Sequence, residues 1–369
     1  MARSIGVGLA SVFAVLVLSW SAQAQDDLRI IHFDVGQGDA TLIIAPSGKT
    51  MLIDGGNQGK GTKVIVPRLE RLGITKLDYV IATHYDADHI GGLDEVLNAL
   101  PSSPGVVFDP GGRGPLKPRP LKSAKGNDTR YADYVIAAKL TADREATPLG
   151  RGVINLDEGV IVSVVAANGC VLGGGQDQFR PRLDENGASV ALIITYGTFD
   201  YFIGGDLTGG GRSGSKTTED METSVAAKVG HVDALRLSHH GSNTSSNKVF
   251  LETLRPTVAV ISVGDGHPNT KYHHPTRKVL DRLHDIKPLG LKAVYATNSG
   301  ETSGGLTPED RKLLSLVEQD IVIRSDGNGF SVNGERYATD GAISPAAAAT
   351  IPLRETCTTH LKEPDNGTS

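Results

Sequence analysis

The sequence predicts an α/β protein built as a sandwich of two sheets faced by helices. Three observations carry that expectation. Glycine is abundant, at 45 of 369 residues, while aromatic residues make up 5%, a balance that suits many tight turns better than a helical bundle. Short apolar runs separated by turn residues begin at Leu28. Hairpin strands followed by strand–helix alternation then occur once in each half of the chain.

Taken in order, Leu28 to Phe33, Ala40 to Ala45 and Thr50 to Ile53 read as strands, with Pro46-Ser47-Gly48-Lys49 as a hairpin turn. Val64 to Leu72 has apolar residues at helical spacing and Gly73 placed to end it. Leu77 to Ala82 reads as a buried strand and Ile90 to Leu100 as a helix with its apolar face at Leu93, Val96, Leu97 and Leu100. Residues 101–150 lose periodicity apart from a helix from about Asp128 to Lys139, so the segment is expected to be an insert or lid. Strands resume at Gly159 to Ala166, Ser189 to Tyr196, Phe199 to Ile203, Ala234 to Leu237 and Thr257 to Val263. Helices are expected at Met221 to Lys228, Lys248 to Leu254 and Thr276 to Leu283, with a flexible Gly209 to Ser215 between. The domain is placed at residues 25–338 and a tail at 339–369.

Residues 1–24 read as a secretory signal: Arg3, an apolar run from Ile5 to Leu18, and Ala22-Gln23-Ala24 before polar Gln25-Asp26-Asp27. The alternative is an uncleaved anchor, for which the run is short against the roughly 20 residues a bilayer span needs. Cleavage after Ala24 would leave a periplasmic or secreted protein with no membrane segment. In such a compartment Cys170 and Cys357 are either a disulfide or two free thiols. The formal net charge of −5 does not suggest a general nucleic-acid binder. One segment dissents. Between Gly111 and Arg130 stand Arg113, Lys117, Arg119, Lys122, Lys125 and Arg130 against a single acid, Asp128, which is either a solvated loop or a phosphate-facing one.

The strongest chemical signal is Thr83-His84-Tyr85-Asp86-Ala87-Asp88-His89-Ile90-Gly91-Gly92, where a buried strand ends and a helix begins. In extended backbone, residues 84, 86 and 88 project to one side, and His89 brings a second imidazole round at the helix start. Imidazole and carboxylate together suit Zn²⁺, Mn²⁺ or Fe. The alternative is a polar loop with Asp88 as N-cap. Asp54 and Asp206 also stand at strand ends, and Ser238-His239-His240-Gly241 ends another.

This ordered set resembles the metallo-β-lactamase superfamily, and within it the hydrolase domain of the ComEC competence proteins and their stand-alone relatives. The matching residues are Phe33-Asp34-Val35-Gly36-Gln37-Gly38-Asp39, Asp54-Gly55-Gly56, His84 to His89, Asn186 to Val190, Gly205-Asp206, His239 to Ser242 and His274-Pro275. The resemblance implies the αββα metallo-β-lactamase sandwich and one or two divalent ions, Zn²⁺ or Mn²⁺. His84 and Asp86 would hold one ion, and Asp88, His89 and one of His239 and His240, with His240 favoured, would hold the other. Asp206 would bridge them, with Asp54, Asp34, Asn186 and Ser189 around the ligands. His239 would reach substrate and His274 would sit at the rim as a substrate or proton-transfer residue. Two departures stand out. Asp86 occupies a position where many superfamily members have His, and no histidine lies between His89 and His231.

The activity implied is hydrolysis by a metal-activated hydroxide attacking phosphorus, with Asp88, His239 and His274 as catalytic residues. The substrate would be a small-molecule or nucleic-acid phosphodiester, contacted by Lys117, Arg119 and Lys122. A carboxyl-ester or lactone hydrolase, and a degenerate metal-binding non-enzyme, are the alternatives. The second is disfavoured because buried carboxylates without a cation are costly.

Overall fold

The computed structural model describes residues 27–100, 104–111, 119–174, 182–213, 215–264, 273–300, 302 and 304–341. The signal-like residues 1–24, Lys117, Cys357 and the tail beyond Gly341 lie outside them.

The chain lays down β1 (Leu28–His32), β2 (Thr41–Ile44) and β3 (Thr50–Ile53), then α1 (Val66–Arg71) and β4 (Tyr79–Ile81). After β4 come α2 (Ala87–Ile90), α3 (Leu93–Ala99), β5 (Val106–Asp109), α4 (Arg130–Thr141) and β6 (Asp143–Ala146). The second sheet takes β7 (Gly150–Ile154), β8 (Val160–Ala167) with short β9 (Cys170–Val171), β10 (Ala191–Tyr196) and β11 (Phe199–Ile203). A ribbon of β12 (Arg212–Ser213) and β13 (Lys216–Thr217) precedes α5 (Glu222–Val229), β14 (Ala234–Arg236) and α6 (Lys248–Leu254). β15 (Val258–Ile261), α7 (Arg277–Ile286), β16 (Ala293–Ala296), α8 (Pro308–Leu313) and β17 (Leu314–Leu316) complete that sheet. The chain then returns to the first sheet with β18 (Ile321–Ser325), β19 (Gly329–Val332) and β20 (Glu335–Ala338).

The first sheet runs β20-β19-β18-β1-β2-β3-β4-β5-β6 and the second β17-β16-β15-β14-β11-β10-β8-β7. In both, an antiparallel part gives way to parallel strands, from β3 onward in one and from β11 onward in the other. β2 and β3 are buried along their whole length because one face meets the second sheet and the other meets helices. Met51, Ile53, Ile81, Val164, Leu192 and Ile194 belong to the core between the sheets. Leu42, Leu52 and Val80 point the other way, onto Leu69, Val96 and Tyr134 of α1, α3 and α4. On the outer face of the second sheet α7 buries Val279, Leu280, Leu283 and Ile286, one stripe of a 3.6-residue repeat. The four-layer αββα architecture is the one expected.

Four details differ from the sequence reading. The helix expected over 90–100 is broken at Gly91-Gly92 into α2 and α3, where Gly92 N–H donates to the Gly56 carbonyl and the Gly55 backbone packs too close to Gly92 for a Cβ. Much of 101–150 is not an insert, since β5 and β6 extend the parallel part of the first sheet. Gly209 to Ser215 contributes to the β12–β13 ribbon. The strands from β16 onward went unread, and β18 pairs along the full length of β1. Cys170 is disulfide-bonded.

Candidate metal centre

The histidines and most of the carboxylates of the site sit at, or just beyond, the carboxyl ends of strands, where parallel sheets leave their clefts. Asp54 follows β3, Thr83 to His89 follow β4, Asp206 follows β11, and His239 and His240 follow β14. Asp86 keeps extended backbone as the N-cap of α2, without a side-chain capping bond, and Asp88 lies in the first helical turn. The one-sided projection of 84, 86 and 88 therefore holds only as far as Asp86, and Asp88 arrives from the helix. Asp54, His239 and His240 have φ of 60°, 51° and 53°. Left-handed backbone at non-glycine residues costs about 1–3 kcal/mol each and persists where the surroundings over-determine it.

Nε2 of His84, of His89 and of His240 is buried and makes no hydrogen bond. His89 Nε2 lies 3.1 Å from Asp206 Oδ1. His240 Nε2 lies 3.4 Å from Asp88 Oδ2 and 3.7 Å from Asp206 Oδ2. His84 Nε2 lies 3.7 Å from Asp86 Oδ2 and 3.9 Å from Asp206 Oδ2. Asp206 thus faces two sets, one with His84 and Asp86, the other with Asp88, His89 and His240. Donors around a tetrahedral ion bound at about 2 Å stand about 3.3 Å apart, so these separations suit a divalent cation.

The Nδ1 atoms explain why the Nε2 atoms are available. His89 Nδ1 donates to Asp54 Oδ2 at 2.8 Å, and His240 Nδ1 donates to the Ser262 carbonyl at 3.0 Å. Thr83 Oγ1 gives its only proton to Asp54 Oδ2 and so accepts from His84 Nδ1 at 3.1 Å. With each Nδ1 protonated, each Nε2 keeps its lone pair toward the cluster, as metal ligation requires. Without a cation a proton takes that place on His89: burial opposes its protonation, yet Asp206 and Asp54 hold it well above the usual histidine range, and a bound cation would replace the proton at Nε2. Asp206, also disfavoured as an anion by burial, is held well below the carboxylate range by His89, His239 and His240. The site stabilises positive charge.

Asp206 itself is fixed by its backbone N–H, which donates to Ser189 Oγ at 3.0 Å. Asn186 Oδ1 is buried without a hydrogen bond, and its Nδ2 lies 3.4 Å from His239 Nε2. An amide oxygen is thus at hand in the region that lacks a histidine. The adjacent histidines are separated by their surroundings. His240 is 1% exposed, whereas His239 is part-buried, bonds Thr244 Oγ1 through Nδ1 and stands 3.7 Å from Asp206.

The match between chain and known families follows the same residues. Positions 33–126, which contain Asp54 and the His84–His89 loop, match the metallo-beta-lactamase superfamily. The chain carries a domain of that superfamily. It is similar to ComE operon protein 3 of Bacillus subtilis, 28% identical over 274 residues that cover 69% of this chain and 31% of that one. Competence protein ComA of Neisseria gonorrhoeae is 26% identical over 325 residues, 85% and 39% of the two chains. The Escherichia coli protein YcaI is 35% identical over 304 residues, 81% and 33%. The chain spans about a third of the length of these relatives.

Within this metallo-β-lactamase domain two expected site residues, Asp34 and Lys122, are placed elsewhere, and a third, His274, is at the cluster but more enclosed than expected. Asp34 does not surround the ligands: its carboxylate accepts from Gly36 N–H, and its own N–H donates to Asp320. His274 is not at an open rim but 7% exposed, its ring 5.7 Å from that of His239. Burial, then the charges of His240 and His239, push it down to about 3. Lys122 is exposed and its ammonium is taken up by Asp128 at 2.5 Å across a β-bridge between the same two residues. Arg119 does reach the site, ion-paired with Asp86 Oδ1 and 3.5 Å from Glu185.

Four participants have no role in the sequence reading, although Asp39 and Thr83 lie in segments it singles out. Asp39 is 1% exposed, and its ligand atom, with those of His89, Asp206 and His240, forms a group within 4.8 Å. Arg236, fully buried, ion-pairs Asp39 and donates to the Gly205 carbonyl, tying the first sheet's loop to the second sheet. Because Arg236 already balances Asp39, Asp88 is the better donor toward His240. Thr83 links Asp54 to His84, and Glu185 accepts from Tyr85 N–H at 3.0 Å. A lone arginine inside the apolar strand Ala234-Leu235-Arg236-Leu237 was the available signal.

Proposed function

We propose that the protein is an exported metal-dependent phosphodiesterase, acting on DNA or a smaller phosphodiester. The observation that carries this reading is the convergence of three unbonded imidazole Nε2 atoms and the carboxylates of Asp86, Asp88 and Asp206 from separate strand ends. A bound divalent cation would supply an activated water and neutralise charge developing on the phosphoryl oxygens.

The chain's own groups do the rest. His84 and Asp86 would hold one ion, Asp88, His89 and His240 a second, and Asp206 would face both. Asp86 in place of an imidazole gives the first set a harder oxygen donor, which favours Mn²⁺ over Zn²⁺ there. Burial lowers His239 despite Asp206, and its Nε2, 3.7 Å from Asp206 Oδ2, is suited to accept a proton from the attacking water and return it to the leaving oxygen. His274 is buried beside it and serves to position the His239 ring. A disulfide-bonded Cys170 and the signal-like residues 1–24 support export.

The test is hydrolysis of bis-(p-nitrophenyl) phosphate, single-stranded DNA, a lactone and nitrocefin with Mn²⁺ and with Zn²⁺, and Asp88→Ala as control. Turnover of the diesters, lost in the variant, is expected. Turnover of the lactone or nitrocefin only would replace phosphodiester by acyl chemistry. Mass spectrometry of the exported protein should find a chain beginning at Gln25.

A further inference from the structure

The outer face of β18–β20 is not covered as β2 and β3 are. Beside α1 it opens a groove of about 580 Å³ lined by Arg68, Arg71, Asp320, Arg324, Ser331 and Asn333, among others. The sheet register sets a row of side chains across it: Arg29 opposes Arg324, Arg324 opposes Ser331, and Ser331 opposes Arg336. Opposed residues share a face, with neighbouring strands about 4.8 Å apart, so three arginines and a serine form one line across four strands. Arg68 and Arg71 face that line from the helix.

Five arginines thus gather on a chain whose formal net charge is −5. The acid in the groove, Asp320, is committed to Arg68 at 2.6 Å and to the Asp34 N–H at 2.9 Å. Among the described residues no carboxylate lies within ion-pairing distance of Arg71, Arg324 or Arg336. Like charges directly opposite across a strand pair are unfavourable, and the Arg29 guanidinium is held below its ordinary range by burial and then by Arg324. Arginine on the edge strand β20 also guards against edge-to-edge pairing, but that explains Arg336 only and not Arg29, Arg68 or Arg71.

The groove is linked to the centre through one loop. Asp320 is bonded to Asp34, at the start of the loop whose other end, Asp39, donates its N–H to the Asp88 carbonyl at 3.1 Å. Between them the Lys60 ammonium stands over the turn at Gly36, 3.4 Å from where a Cβ would be.

We propose that this groove holds the phosphate backbone of a nucleic-acid strand, at a distance from the diester being cleaved. The inference rests on the phosphodiesterase reading and narrows its substrate to a polyanion longer than one diester. Guanidinium groups in a row suit successive phosphates, and each contact made should appear as salt dependence.

The test is fluorescence anisotropy of a labelled single-stranded oligonucleotide of about 20 nucleotides titrated with the full chain at several salt concentrations. The proteins are wild type, Arg71→Glu/Arg324→Glu/Arg336→Glu and the matching triple glutamine variant. Melting temperature and metal content serve as folding controls. Kd is expected to rise about tenfold or more, and the slope of log Kd against log salt to fall by about two, roughly 0.7 for each of three lost contacts. An unchanged Kd and slope, or a wild type that does not bind, would overturn the proposal. Anisotropy needs no turnover, so the two readings fail separately. Charge-dependent binding by a protein that cleaves no diester keeps the groove and ends the phosphodiesterase. Diester cleavage with charge-independent binding does the reverse.

Discussion

Asp54 Oδ2 accepts from His89 Nδ1 and from Thr83 Oγ1, each at 2.8 Å, and Thr83 in turn accepts from His84 Nδ1. One buried carboxylate thereby sets the tautomer of two imidazoles that belong to different halves of the cluster. Its own backbone is left-handed, which ties the placement of that oxygen to the turn after β3.

Asp54→Ala is accordingly expected to weaken divalent-metal binding about 10- to 100-fold while the domain still folds, since removing an outer-shell partner of a ligating histidine has that effect. Competition with a chromophoric chelator measures it. An unchanged affinity would show that the tautomers are fixed some other way.

Arg119 contacts Asp86 through Oδ1 and leaves Oδ2 toward His84. We expect Arg119→Ala to loosen the ion held by His84 and Asp86 by about tenfold, through a less ordered carboxylate. Isothermal titration with Mn²⁺ reads the change. Tighter binding in the variant would mean that the guanidinium competes with the cation and does not orient its ligand.

How much of this was legible beforehand follows from the physics of each residue. The His84–His89 loop, Asp206 and His239-His240 stand out because clusters of titratable side chains at the ends of apolar strands have few structural uses. Asp39 did not stand out. It sits in a glycine-rich turn where aspartate is common for conformational reasons, and only the three-dimensional fold brings Arg236 to it from 197 positions along the chain. Asp34 misled for the same reason, being a turn-forming aspartate in that loop. The last strands are hard to read because Ile321–Ser325 and Gly329–Val332 are only five and four residues long, too few for their alternation to stand out from turn sequence.

Arg236 and Asp39 are both about 1% exposed, and breaking a buried pair leaves an uncompensated charge. Arg236→Met should destabilise the protein by about 3–5 kcal/mol, and adding Asp39→Asn should recover part of it. Urea denaturation of the two single variants and the double variant checks this. Additive losses would show that the two charges are stabilised independently.

His32 is buried between the sheets, with Nδ1 3.0 Å from Thr41 Oγ1 and Nε2 2.8 Å from Tyr201 Oη. Burial, and then the charge of Arg236, push it down to about 3. The unfolded chain protonates it near pH 6.5, so its contribution is complete above that pH and is lost as pH falls toward 3, at up to about 1.4 kcal/mol per unit. His32→Gln should flatten the fall of unfolding free energy between about pH 6 and pH 4 by about 1 kcal/mol per unit. An unaltered slope would mean that the imidazole takes up its proton without unfolding.

The claim on which the rest depends is that acidic and imidazole groups from both sheets jointly hold a divalent cation. Elemental analysis of protein purified without chelator, beside Asp206→Ala and His240→Ala, tests it most directly. The account expects about one to two equivalents of a divalent transition metal per chain in the wild type and a fall well below one in both variants. A folded wild-type protein that retains no metal even after equilibration with Mn²⁺ and Zn²⁺, or variants that retain it fully, would contradict it.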